Sequence, residues 1–326
     1  KRQGIGGGGD VIGAIHIYLW LKRLGARPIL GAIPWERFSI DPIPGPIRLE
    51  EIRKIKARYE NFAIVDGDSY VMRNSKIVNC QAICVAKELG IDVLVLDGSR
   101  GSHGLFKGLS EAVRTLDIDL VIGVDVGGDV LATPRDSDII WSPLMDSLAL
   151  AAITKLKDLD TLIAVHGISA DGELPLERVL ARVAEIAKKG GIIEIHGLSK
   201  YDIKILLRVI EKCQTEASKI PIDVFLGLYG VISIRNGTRN VEASIVQAIT
   251  LLMIPEVIYE SSPFAQAVSE TKSIEEANEA LHDLGLYTEL DLENDLYDLM
   301  IKGIEITPEL VLKLRDEGLK RLRSRS

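Results

Sequence analysis

Two short runs in this chain join glycine to aspartate at the start of a helical stretch. The first is Gly6-Gly7-Gly8-Gly9-Asp10-Val11, and the second is Gly127-Gly128-Asp129-Val130. Glycine lets a backbone turn tightly and approach a ligand closely, because no Cβ intervenes. A glycine turn that opens a helix leaves N–H groups free at the positive end of its dipole, which suits phosphate or carboxylate. An aspartate in the same place would repel that anion unless a cation sat between them. The spacing therefore predicts an anion held by the N–H groups of Gly6, Gly7, Gly8, Gly9, Gly127 and Gly128. It predicts Mg²⁺ held by Asp10, Asp125 and Asp129, since hard oxygen ligands suit that ion.

More polar residues gather where apolar runs end. These ends read Asp66-Gly67-Asp68, Asp97 through His103, Asp125 through Asp129, His166 through Asp171, and His196-Gly197-Leu198-Ser199. A last run carries Arg235-Asn236-Gly237-Thr238-Arg239. In a parallel sheet such ends share one edge, where α/β proteins bind ligands. Arg100, Arg235 and Arg239 are the candidates to clamp an anion. Asp125, His103 and His166 are the candidates for catalysis, the histidines by proton transfer. Each has a plainer reading: Asp10 and Asp129 as helix caps, and Asp66, Asp97 and Asp125 as acceptors in turns after strands. His16 reads as a core histidine, and Ser142 and Asp146 read as caps around Pro143.

The elements that must position these groups alternate strand and helix. Continuous apolar runs at 28–33, 62–65, 91–96, 119–124, 161–165, 191–195, 222–228 and 231–234 read as strands covered on both faces. Helices are expected at 11–24, 49–59, 77–89, 105–116, 145–156, 176–188, 202–217 and 241–253. The pattern predicts an α/β fold with a doubly wound, mostly parallel, Rossmann-like sheet over residues 1–260; a β/α barrel is the alternative. Short helices at 273–284, 290–302 and 307–323 form a small C-terminal helical appendage over 261–326, packed on the sheet or on a partner subunit. A proline-rich loop at 34–46 is placed to cover the first turn.

Composition narrows the partners. Of 326 residues, 47% are hydrophobic and 26% charged, as in a soluble globular protein. A net charge of −8 argues against nucleic acid or an anionic membrane as partner. The same composition leaves a homo-oligomer open. No run reaches the ~18 apolar residues of a membrane span. The opening Lys1-Arg2-Gln3 has neither a secretory core nor a methionine, which suggests a chain that begins earlier, with its first strand partly missing. Three cysteines, read as buried thiols, point to a reducing, cytoplasmic compartment. Abundant Ile and scarce Gln suggest heat adaptation, as in a thermophilic organism.

Familiar motifs are mostly absent. Gly4-x-Gly6-x-x-Gly9 satisfies the dinucleotide fingerprint literally, but the acidic residue expected to close the second strand is missing, and Asp10 would crowd a pyrophosphate. No Lys-Ser or Lys-Thr follows the glycines, and no Gly-x-Ser-x-Gly elbow occurs. The segment Gly123-Val124-Asp125-Val126-Gly127-Gly128-Asp129 resembles the phosphate loop of the sugar-kinase and oxoprolinase superfamily of actin-like ATPases. Asp129 stands where that family has threonine, and strands precede the loop, so we read it as local convergence. A shorter likeness to D-glutamate cyclase-type lyases lies in 66–73 and 127–129. Over its length the chain resembles an uncharacterised, mainly archaeal family, a domain of unknown function, through Gly6–Val11, 124–130 and Ser142-Pro143-x-x-Asp146. That resemblance implies no activity. The residues themselves point to an enzyme binding an anionic small molecule, a nucleotide or phosphorylated metabolite, with Mg²⁺, for phosphoryl transfer or hydrolysis. The alternatives are a non-catalytic metabolite-binding protein and a metal-free lyase or cyclase acting on a carboxylate.

Overall fold

A computed structural model describes residues 2–7 and 10–324. Gly8 and Gly9, and the ligand role expected of them, lie outside the described residues. The molecule is an α/β protein with mixed sheets. Its strands in chain order are β1 (Arg2–Gly7), β2 (Ile29–Ile33), β3 (Ile52–Arg53), β4 (Ala57–Arg58), β5 (Phe62–Val65), β6 (Tyr70–Arg73) and β7 (Lys76–Val78). There follow β8 (Val93–Leu96), β9 (Leu120–Val126), β10 (Asp160–His166), β11 (Ile192–Gly197), β12 (Gly230–Ile234), β13 (Arg239–Ala243) and β14 (Ile249–Met253).

Among the described residues, nine strands join in the order β11-β14-β10-β9-β1-β2-β8-β5-β4. The segment β10-β9-β1-β2-β8 is parallel. Antiparallel pairs flank it, β11-β14-β10 on one side and β8-β5-β4 on the other. The expectation of a mostly parallel sheet is corrected by these flanks. Of these pairs, only β4 and β5 are joined by a short hairpin; the others are closed by long connections, with β6, β7 and a helix between β5 and β8, and two helices and the β12-β13 hairpin between β11 and β14. The remaining strands form a hairpin, β12-β13, and a small sheet, β3-β6-β7.

The apolar runs of the central strands serve two cores at once. Along β8, Val93 and Val95 face one buried cluster while Leu94 and Leu96 face the other. That alternation follows from the two-residue period of a strand and explains why the sequence shows no polar face. Helices α1 (Asp10–Gly13), α2 (Ile15–Arg23), α3 (Gln81–Leu89) and, further along, α7 (Lys200–Lys212) cover the first face. Helices α4 (Gly101–Leu116), α5 (Pro143–Ile153) and α6 (Leu176–Lys188) cover the second. Beyond residue 260, α10 (Pro263–Ala267) and α11 (Ile274–His282) join that second core through Phe264, Ala277 and Leu281. Helix α12 (Glu289–Ile301) reaches it through Leu290, and α13 (Pro308–Arg323) packs outside it.

Three elements differ from the sequence reading. The charged stretch expected as a helix at 49–59 is a short 3₁₀ turn followed by β3 and β4; Ile55, Ala57 and Tyr59 alternate with period two, and that pattern prevails. Residues 222–228, expected as a strand, lie largely in α8 (Ile220–Phe225), where Pro221 fixes φ in the first turn. The helix expected at 241–253 is instead β13, a 3₁₀ turn and β14. A further difference concerns sulfur: Cys84 of α3 and Cys213 at the end of α7 form a disulfide, and only Cys80 is free. The cysteine argument for a reducing compartment therefore falls away. Among the described residues, no helix is long and apolar enough to cross a membrane.

Candidate functional site

A cleft of about 1020 Å³ opens at the C-terminal ends of the parallel strands. Its floor comes from the ends of β9 and β10. Strand β9 ends in buried Asp125, and the chain then turns through Gly127 and Gly128 at φ +126° and +112°. Side chains rarely adopt those values, so glycine is required here for conformation. It is also required for space, because a Cβ on Gly127 would lie 2.4 Å from Asp171 Oδ1. Asp125 accepts from the N–H groups of Gly128 (3.5 Å) and Val130 (3.2 Å), closing the turn. Strand β10 ends at His166, and the loop after it delivers Asp171 and Glu173.

Asp129, Asp171 and Glu173 then converge, each offering a carboxylate oxygen within 4.8 Å of the others. All three are buried, but their surroundings differ. Glu173 accepts from Trp141 N (2.6 Å), Ser142 N (2.9 Å), Ser142 Oγ (2.6 Å) and Arg239 Nη1 (2.7 Å). Burial alone would raise its pKa, yet Arg239 and these donors more than offset that and hold it at about 2. Four donors fill the lone pairs of Glu173. Asp171 is the opposite case, with no donor on either oxygen, and Asp129 Oδ1 is likewise bare. Burial, then the charge of Glu173, raises Asp171 to about 6. Burial, then Asp171, raises Asp125 to about 7. Asp10, Asp129 and Asp146 are also raised, first by burial and then by neighbouring carboxylates. Unpaired carboxylates that crowd a buried space must share protons or take a cation.

Arginines line the same cleft. Arg37 pairs with Glu216 at 2.7 Å, and Arg235 approaches Glu216 only to 3.9 Å with its Nε bare. Burial, then the charges of Arg37 and Arg239, lowers Arg235 to about 9. Arg239 is committed to Glu173, to the Asp171 carbonyl (3.3 Å) and to the face of Trp141 at 4.6 Å.

The structure thus brings together Asp10, Asp125, Asp129, Arg235 and Arg239 of the residues singled out from sequence. It changes the part played by the glycines. Gly127 N–H donates to His166 O (3.1 Å) and Gly128 N–H to Asp125, so neither is free for an anion. Gly6 and Gly7 are strand residues paired with Ala32 and Ile33. His166 is buried behind the floor, bonded to Thr250 Oγ1 (2.8 Å) and packed on the ring of His16; burial drives its pKa far down. His103 begins α4, its N–H bonded to Thr271 O, and Arg100 pairs with Glu50 and Asp97; neither lines the cleft. Asp66 and Asp97 close turns, through Asp68 N and Ser99 N at 3.0 Å each. Ser142, expected as a cap, instead donates to Glu173, and Asp146 lines the cleft.

Sequence reasoning missed Asp171 and Glu173 as ligand candidates, and Arg37 and Glu216 altogether. The signal for the first two was an Asp-x-Glu pair just after a strand-end glycine. The others come from loops whose proximity no spacing reveals.

No curated protein matches the chain significantly. A family model described as a protein of unknown function, DUF1152, matches residues 3–297, and the chain belongs to that family.

Proposed function

We propose that this protein is a divalent-cation-dependent enzyme that acts on an anionic small molecule by phosphoryl transfer or hydrolysis. The observation that carries this reading is the bare carboxylate of Asp171, buried beside the bare Oδ1 of Asp129 at the floor of an open cleft. A Mg²⁺-class ion taken between these two aspartates would supply the missing partner, with Glu173 adding fixed negative charge and orienting its neighbours. Bound there, the ion would offset charge on a phosphoryl group. Arg235, with its bare Nε, and Arg37, paired with Glu216, together carry one positive charge in excess to face the anion. Asp125, raised to about 7, is suited to holding or releasing a proton near neutral pH.

The sheet supports the same reading. We take its parallel segment, with helices on both faces, as a doubly wound, Rossmann-like core. From β1 the order runs to β2 and β8 on one side and to β9 and β10 on the other. Ligand crevices form where such an order reverses, beyond the strand ends. Asp10 follows β1 and Asp125 ends β9, so the two flank that position.

Calorimetric titration of Mn²⁺ or Mg²⁺ into the wild-type protein at pH 8 tests the cation. Saturable binding, with proton release at pH 6.5, is expected because ligation needs ionised carboxylates. Absence of binding by either ion at millimolar concentration would reject the proposal. Phosphate release from a panel of phosphoesters, dependent on the metal, tests the chemistry; binding without turnover would favour a metabolite-binding protein.

A further inference from the structure

The cleft is far larger than a phosphate group, and its lining away from the carboxylates mixes polar side chains with apolar ones. One wall is the proline-rich loop, which contributes Phe38 and Ile40; the facing helices α12 and α13 contribute Leu292, Leu296, Met300 and Val311. We propose that the substrate is a phosphomonoester with an aliphatic body, its phosphate held by Arg37 and Arg235 and its chain laid along these apolar side chains. This rests on the anionic-substrate reading above and names its class.

Two features place the head. Arg235 sits at φ +56° and Asn236 at φ +54°, left-handed values that non-glycine residues adopt at a cost. Strain of that kind is retained where it aims a side chain. The guanidinium so aimed keeps a bare Nε inside the cleft, close to Arg37 and short of full pairing with Glu216. Arg37 and Arg235 set two positive charges against the single charge of Glu216, and the surplus suits a phosphate.

The body is argued from what the walls lack. A nucleotide base calls for an aromatic face to stack on. Trp141 has Arg239 over its ring at 4.6 Å and Arg315 at 4.5 Å, so its faces are occupied. The Trp35 indole N–H is spent on Glu293 at 2.9 Å. Apart from serine, threonine, asparagine and glutamine side chains, what remains is leucine, isoleucine, valine, methionine and proline, with Phe38 as the one aromatic ring beside them among the described residues. Methionine and leucine adapt their shape to flexible chains.

The test compares inorganic phosphate, ethyl phosphate, hexyl phosphate, octyl phosphate and adenosine monophosphate by calorimetry with Mn²⁺ present, each below any micelle-forming concentration. Octyl phosphate has six more methylenes than ethyl phosphate, and three of them taken from water are worth roughly fiftyfold in affinity. Octyl phosphate should therefore bind about fiftyfold more tightly than ethyl phosphate. Met300→Gln should shrink that ratio while sparing inorganic phosphate, and Arg235→Gln should weaken every phosphate alike. Equal affinity for ethyl and octyl phosphate would overturn the aliphatic body, as would tighter binding of adenosine monophosphate than of octyl phosphate. Undiminished phosphate binding in Arg235→Gln would overturn the head. Mn²⁺ binding with no phosphate binding would reject this inference and leave the cation standing. Chain-length-dependent binding without Mn²⁺ binding would do the reverse.

Discussion

Two buried carboxylate clusters lie in this molecule, and they are wired in opposite ways. The Asp41 carboxylate has a cation and donors of its own. Arg73 donates to the Asp41 carboxylate, to Glu51 Oε1 (3.1 Å), and to the carbonyls of Ile43 (3.0 Å) and Gly45 (3.1 Å). Asp41 also accepts from Ile43 N at 3.3 Å. Around Asp171 there is no such match, although its burial is similar at 4%, against 1% for Asp41. Desolvating a charge is costly in either place, but only the first cluster recovers the cost within the chain. The first therefore braces the proline-rich loop that walls the cleft. The second leaves its charge for something the cleft admits. Burial alone does not separate a structural carboxylate from a ligand-binding one; the census of its donors does.

Breaking the matched cluster should give the largest effect on stability. Arg73→Ala leaves Asp41 and Glu51 without their cation, and loss of one partner of a buried pair costs about 3–5 kcal/mol. Urea unfolding should show a loss of that size. A loss under about 1 kcal/mol would mean that the cluster is not a brace, and the contrast with Asp171 would lose its first half.

Asp171→Asn should do the converse. It removes a charge that has no partner, so the metal-free protein should be as stable as wild type or more so. Metal at 100 times its Kd stabilises a fold by about 2.7 kcal/mol, and this variant should lose that gain. Thermal melts with and without Mn²⁺ measure both. A variant stabilised by Mn²⁺ as strongly as wild type would make Asp171 structural.

Acidity offers a reading of the same contrast without mutation. Asp171 and Asp125 titrate in the folded protein at about 6 and 7, above the ~4 of an unfolded aspartate. Between those limits the folded state binds more protons than the unfolded one, so stability from these groups is full below ~4 and falls as pH rises through 6 to 7. Glu173, held at about 2, acts with the opposite sign but only below its unfolded value. The stabilisation gained from saturating Mn²⁺ should therefore grow from pH 5.5 to 8, a difference in which the buried His16 and His166, lowered by burial and opposite in sign, cancel. A gain from Mn²⁺ that does not grow over that range would show that the carboxylates are paired after all.

How much of this could be read from the chain depends on distance along it. The central strands were legible because the runs at 91–96 and 119–124 are mostly apolar without alternation, as coverage on both faces demands. The Gly127-Gly128 turn was legible as special, but its reason was not. The glycines make room for Asp171, which lies more than forty residues on and meets them only through the pairing of β9 with β10. The Cys84–Cys213 disulfide, 129 residues apart, was hidden by the same distance. Local helix signals also misled where a period of two competed, as at 55–59. The strand-end rule pointed to the edge of the sheet on which the cleft opens, and the arrangement of donors separates the residues on it.

The smallest change bears on Asp125, whose two assignments, turn-former and proton carrier, make different predictions. At neutral pH its carboxyl is raised to about 7 by burial and then by Asp171, so asparagine is close in shape and charge to its protonated form. The amide oxygen can still accept from Val130 N, and only the longer bond from Gly128 N is at risk. A neutral hydrogen bond of that kind contributes about 1 kcal/mol, so Asp125→Asn should cost no more than that in unfolding free energy. Mn²⁺ affinity should hold, because Asp129 and Asp171 keep the ion, while turnover of any phosphoester found to be a substrate should collapse with KM little changed. If turnover persists and stability falls by several kcal/mol, Asp125 is only the turn's anchor. The proton must then be carried by another raised carboxylate in the cleft, with Asp146 and Asp10 the nearest in kind.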